Sequence, residues 1–300
     1  MAEARPATSR LDRILGHPMM FPGVLIALGI FIVYMVMEAA AGKPLTAYDT
    51  HAYYNAADLN DPYRETIQGG FDAVGGAYEY KYPPVLAQVL WPFHFLPWPV
   101  FLFLWLVLLV AAYLWMAGRW ALPLLFFPPL LGELYLGNVN ILVGLAVVLG
   151  FRWPAAWAFI ILTKITPGIG LLWFAVRREW RSLAIALGAT AAICAVSYVL
   201  APHLWSDFLL AMETQTEATL TVPRQAAPIN LPIRLAAAAA ITTFGAWTDR
   251  RWLLPIAVAI SVPFLWWNVL AILIACIPLA RRDGERRREI ASATPIPAGS

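Results

Sequence analysis

Residues 48 to 84 read YDTHAYYNAADLNDPYRETIQGGFDAVGGAYEYKYPP and hold six of the chain's eighteen acidic residues, Asp49, Asp58, Asp61, Glu65, Asp72 and Glu79, in about an eighth of its 300 residues. The first of these, Asp49, comes nine residues after an apolar span that ends near Ala40. Tyr53 follows one helical turn on, with Ala52, Ala56 and Ala57 interspersed, which predicts a short helix along the membrane interface. A carboxylate at such a boundary, partly desolvated and close to aromatic rings, has the chemistry of a general base acting on a hydroxyl. The same residue would equally serve as a cap for that helix.

Other polar residues stand where apolar ones are expected. Tyr80-Lys81-Tyr82-Pro83-Pro84 places a cation between two aromatics at the mouth of the next span, where it can hold a phosphate or anchor the chain at the headgroup level. Lys164, in Thr163-Lys164-Ile165-Thr166-Pro167, falls near the middle of an apolar run. A cation there costs about 3 kcal/mol on insertion scales, so a partner or a polar cavity is expected, and Glu133 is the candidate partner. Gly137-Asn138-Val139-Asn140 is a tight polar turn between two apolar runs, or a simple connector. Arg224 and Arg234 flank a second polar stretch and could meet an anionic substrate or merely snorkel to the interface.

The elements that carry these residues belong to a membrane protein. The chain is 61% hydrophobic and 13% charged, with 14 Trp, 15 Phe and 24 Pro, and its mean hydropathy of +0.67 excludes an ordinary soluble domain. Apolar runs near 19–40, 85–96, 100–118, 122–136, 141–151, 155–176, 183–201, 231–247 and 252–280 predict an all-α polytopic bundle of about eight to ten transmembrane helices, the last run being a hairpin broken at Pro263. Thirteen of the 21 Lys and Arg residues fall on one set of flanks when the N-terminus is placed in the cytoplasm, which puts both termini inside. The resulting layout is a cytoplasmic tail over 1–18, a membrane domain over 19–280 with outer loops at 41–84 and 202–230, and a disordered cytoplasmic tail over 281–300. Cys194 and Cys276 lie in apolar spans and suggest packing, and no spacing demands a metal ion.

In their order along the chain, Asp49 with Tyr53-Tyr54 and Ala56-Ala57, Asp61-Pro62-Tyr63, Tyr82-Pro83-Pro84, Gly137-Asn138-Val139-Asn140, Thr163-Lys164-Ile165-Thr166-Pro167 and Arg177-Arg178 resemble glycosyltransferase family 87. These are GT-C-type membrane enzymes that use polyprenyl-phosphate sugars. The resemblance implies a GT-C-like bundle in a cell membrane, with a long first extracytoplasmic loop in which Asp49 is the catalytic base. It also implies inverting transfer of a mannose-like sugar from polyprenyl phosphate to a lipid or glycan acceptor. Tyr53, Lys81, Tyr82, Asn138, Lys164, Arg224 and Asn268 are the candidate substrate-binding residues. Membrane lipids are the expected surroundings; no nucleic acid and no cofactor beyond the sugar-bearing lipid is expected. Where the family often carries a Ser-Pro-x-x-Trp-x-His pattern, this chain has Val262-Pro263-Phe264-Leu265-Trp266-Trp267-Asn268, and Asn268 offers a hydrogen bond but neither charge nor proton. The alternatives are a lipid or polyprenyl-phosphate transporter with Lys164 and Glu133 along its pathway, or an inactive relative that acts as a scaffold in the cell envelope.

Overall fold

The computed structural model describes residues 20–40, 46–68, 78–219 and 229–293, and within them the secondary structure is helical with no strand. Prolines mark the starts. Pro84, Pro99, Pro128, Pro154, Pro167, Pro232 and Pro255 occupy the first or second position of their helices, where a backbone N–H has no intrahelical partner to lose.

The all-helical bundle expected from composition forms, but the apolar runs do not become a series of regular crossings. Trp98–Leu124 and Trp180–Leu200 are each long and apolar enough to cross a membrane, and the pair Pro128–Leu136 and Asn140–Gly150 reaches that length only jointly, bent by 109°. Pro22–Glu38, Pro84–Phe93, Pro154–Thr163, Thr166–Val176, Leu231–Trp247 and Arg251–Ser261 are apolar helices of 10–17 residues. At a rise of 1.5 Å per residue, the shorter ones fall well below the hydrocarbon thickness of about 30 Å.

Two expected spans are corrected by their contacts. The 85–96 run does not leave the end of the molecule where it starts: Tyr54 on the Tyr48–Ala56 helix donates to the Leu96 carbonyl at 2.8 Å, and His51 of that helix stacks on Trp98 at 4.3 Å. The 155–176 run is interrupted at Lys164, which is extended (φ −142°, ψ 103°), and restarts at Thr166 behind Pro167. Its two legs fold back together. Phe151, just before the first leg, packs on Trp173 near the end of the second at 5.3 Å. The break expected at Pro263 is present, with Leu254–Ser261 on one side and a 3₁₀ helix, Trp267–Ala275, on the other.

At the end opposite Asp49, Arg177 reaches Glu179 (2.8 Å), Asp249 (3.0 Å) and the Ala246 carbonyl (3.1 Å), while Arg286 reaches the other Asp249 oxygen at 2.8 Å. Phe151 lies 5.2 Å from the Arg251 guanidinium, so Arg152, the next residue, shares this basic end. The tail expected to be disordered is helical over Cys276–Ala293, because Leu279 and Asp283 are buried and Arg286 is clasped by Asp249. The stretch 202–230, expected as a loop, is a helix over Pro202–Thr219 that packs on the short Arg64–Gln68 helix, with Phe208 against Tyr63. The expected 1–18 tail lies outside the described residues.

Gly137 closes the 109° bend with φ +69°, and a β-carbon there would overlap Thr50 Oγ1. Gly137→Ala is therefore expected to destabilise the protein by about 2 kcal/mol or more. Thermal unfolding in detergent measures it, with Gly188→Ala, whose β-carbon meets open space within a helix, as the neutral or stabilised control.

Candidate active site

Asp49 lies in the first turn of the Tyr48–Ala56 helix, near its positive end. That helix starts from Ala47 in the left-handed region (φ 54°) with no side-chain cap, so Asp49 is not its N-cap. Two hydrogen bonds seat the helix on the 109° bend, and a third, from Trp105 of the Trp98–Ala117 helix, holds the same carbonyl. The Ala47 N–H donates to the Tyr135 carbonyl (3.0 Å), while Thr50 Oγ1 (3.1 Å) and Trp105 Nε1 (2.7 Å) both donate to the carbonyl of Gly137. Tyr53, fully buried on the same helix, donates to the Tyr82 hydroxyl at 3.0 Å and packs edge-on against Tyr82 and Trp105. This docking places a half-buried Asp49 beside Asn138, whose side chain favours its charged form, and in the field of Lys164 and Lys81.

The partners of Asp49 sit at or near places where a helix stops. Asn138 is at the bend, and its amide meets the Tyr82 hydroxyl at 3.1 Å. Glu133, one turn earlier and fully buried, accepts from the backbone N–H of Asn140 (2.6 Å) and Ile141 (3.3 Å), from Asn140 Nδ2 (2.8 Å) and from Asn268 Nδ2 (2.9 Å). Lys164, at the second break, holds its Nζ 5.7 Å from the centre of the Tyr82 ring and feels both Glu133 and Asp49. Asn268 follows the third break. Lys81 is ion-paired with Glu79 and lies 5.8 Å from the Phe264 ring.

Asp49, Tyr53, Lys81, Tyr82, Asn138, Lys164 and Asn268 are thus brought into one cluster. Glu133 joins it through Asn268 and the bend rather than through a direct ion pair with Lys164 among the described contacts. Arg224 lies outside the described residues. Arg234 is spent elsewhere: it donates to the carbonyls of Ile229 (3.0 Å), Ile260 (3.1 Å), Val262 (2.6 Å) and Pro263 (2.7 Å), which clamps the third break. Sequence reasoning passed over His51, sandwiched between Tyr78 (4.0 Å) and Trp98, and Thr50 and Trp105, whose shared carbonyl acceptor no pattern announces. Among the described residues, no group of three or more His, Cys, Asp or Glu is placed to hold a metal ion.

Two hollows lie beside elements that carry the cluster, and neither has Asp49, Lys81, Asn138 or Lys164 in its lining. One, of ≈ 290 Å³, runs along the Tyr48–Ala56 helix and is lined by Ala52, Asn55, Asp58, Asp61, Arg64 and Tyr78 among others. The other, of ≈ 250 Å³, is apolar and runs past Leu162 and Thr163, next to Lys164, between Val85, Val89, Phe159 and Ile193.

The profile of glycosyltransferase family 87 matches residues 80–295. The chain belongs to this family. Within the matched range lie Lys81, Tyr82, Glu133, Asn138, Lys164 and Asn268, whereas Asp49 and Tyr53 precede it. Over 229 residues, 65% of this chain, it is 25% identical to a polyprenol-phosphate-mannose-dependent alpha-(1-2)-phosphatidylinositol pentamannoside mannosyltransferase of Mycolicibacterium smegmatis. The aligned part is 51% of that relative, so this family 87 chain spans about half the length of the curated protein it matches. No solved structure matches it.

Burial pushes the Asp49 carboxyl above its ordinary range, while the Asn138 amide and the two lysines pull the other way. A carboxyl whose value is raised on folding makes the folded state less stable once it ionises. This penalty is absent below the unfolded value of about 3.9 and complete above the folded one. Asp49→Asn is therefore expected to melt at a higher temperature than the wild type at pH 7, with the gap closing as pH falls through the folded value. Melting curves between pH 4 and pH 8 measure it.

Proposed function

We propose that this family 87 chain is a membrane glycosyltransferase that moves a mannose-like sugar from a polyprenyl-phosphate donor to an acceptor hydroxyl at the outer membrane surface. In this reading Asp49 takes the proton of the acceptor hydroxyl, and the acceptor oxygen attacks the anomeric carbon from the face opposite the phosphate. The bond from that carbon to the phosphate oxygen breaks, the electron pair leaves with polyprenyl phosphate, and the sugar is inverted. The proton on Asp49 passes to water afterwards.

The observation that carries the proposal is a half-buried carboxylate that lies in the field of two lysines from separate segments. A base needs to be partly desolvated to compete for a hydroxyl proton. A leaving phosphate gains negative charge as the bond breaks, and preorganised cations and amide donors stabilise that charge best in a water-poor site. Lys164, Lys81, Asn138 and Asn268 fill that role. The apolar hollow beside Lys164 suits the isoprenoid part of a donor, and the polar hollow along the Asp49 helix suits a hydroxyl-rich acceptor. The named requirement of the mycobacterial relative for polyprenol-phosphate mannose supports the choice of donor. The basic end, with Arg177, Arg251 and Arg286, is read as cytoplasmic, so that both termini lie inside and Asp49 lies outside.

The test is transfer from polyprenyl-phosphate mannose to a membrane lipid extract by the purified protein. Asp49→Asn is expected to lower the rate by about 10²- to 10⁴-fold while the protein stays monodisperse. Undiminished transfer by that variant would remove Asp49 from the mechanism.

A further inference from the structure

Glu133 does more in this structure than counter a buried lysine. Its two oxygens have separate jobs. Oε1 accepts from the backbone N–H groups of Asn140 and Ile141, the first two residues of the Asn140–Gly150 helix, and so caps that helix inside the protein. Oε2 accepts from the side-chain amides of Asn140 (2.8 Å) and Asn268 (2.9 Å). Four donors converge on one carboxyl that is 0% exposed. A protonated carboxyl would have to turn an O–H toward one of them, so the arrangement selects the carboxylate.

Two consequences reach the candidate active site. With one Nδ2 hydrogen on Glu133, the amide plane of Asn268 is set and its second hydrogen is turned away from Glu133. Moreover, Lys164 stands in the field of two carboxylates, Glu133 and Asp49. Without the charge on Glu133, Lys164 would be left with Asp49 alone and would draw the base into an ion pair.

We infer that Glu133 is the positioning residue of this site: it orients Asn268 toward the donor phosphate and, by sharing Lys164, keeps the Asp49 carboxylate available to the acceptor hydroxyl. The inference rests on the transferase reading above. The charged groups that bear on Asp49 are Lys164 and Lys81 as cations and Glu133 as the anion, with the phenols of Tyr48, Tyr53 and Tyr82 beside it.

Glu133→Gln separates the two jobs. A glutamine oxygen still accepts the two backbone N–H groups of the cap, but its NH₂ faces two amide donors, so Asn268 has to turn its amide over or withdraw and loses the orientation that Glu133 sets. The variant is expected to remain monodisperse, with kcat for sugar transfer about ten- to a hundredfold lower. The acid limb of its pH–rate profile is expected to move to lower pH, because Lys164 then attends Asp49 alone. Combined with Asn268→Ala, the losses are expected to be less than additive, since both variants remove one contact. A merely structural cap would move neither the pH limb nor the additivity. A kcat within about twofold of wild type, or an unmoved acid limb, overturns the inference and leaves the transferase reading intact. If Glu133→Gln does not fold, Asn268→Ala, which spares the cap, decides: an unchanged kcat overturns it. A wild-type protein that transfers no sugar from polyprenyl phosphate overturns both readings.

Discussion

A charged group in an apolar interior has to be surrounded by donors, and a continuous helix has none to give because its backbone N–H groups are already used. Glu133 meets this constraint only because the chain stops being helical at Gly137 and starts again at Asn140, which frees the first N–H groups of a new helix beneath the carboxylate. The same logic applies to Lys164 and Asn268. Each stands at or just beyond a point where a helix has ended. The interruptions in this bundle and the polar cluster are therefore one feature. A membrane domain of unbroken helices could hold the same residues only at a much higher desolvation cost.

The helix that carries Asp49 depends on this interior arrangement. Thr50 and Trp105 both bind the Gly137 carbonyl, and Tyr53 reaches Tyr82 and through it Asn138. The position of Asp49 is consequently set from below, by a turn that contains no residue assigned to proton transfer. Aromatic packing reinforces the seat: Tyr53, Tyr82, Trp105, Phe101 and Trp98 form a continuous run of ring contacts from the bend to the surface.

The membrane bundle, the short helix with Asp49 and the break at Pro263 were legible in the sequence, since composition, alanine spacing and a proline in an apolar run each have a direct local cause. The fold-back at Lys164 was less so. Hydropathy averages over about 20 residues, so a two-residue interruption leaves the 155–176 run looking like one span, although Pro167, Gly168 and Gly170 punctuate it. The return of the 85–96 run to the Asp49 end was marked by Pro92 and Pro97, but its cause is tertiary, in the bond from Tyr54 to Leu96. Arg234 could not be resolved at all from sequence, because its partners are backbone carbonyls that leave no residue signature. The helical tail rests on Asp249, a residue 37 positions away from its partner Arg286, and local charge alone favoured disorder.

The stacking of His51 between Tyr78 and Trp98 has a consequence for where this protein can work. Burial between the two rings pulls the imidazole down to about 4, so it stays neutral at every pH from mildly acidic upward. The fastening of the Asp49 helix to the bundle is thereby insulated from acidification of its surroundings, which leaves any proton sensitivity of that end to the carboxylates.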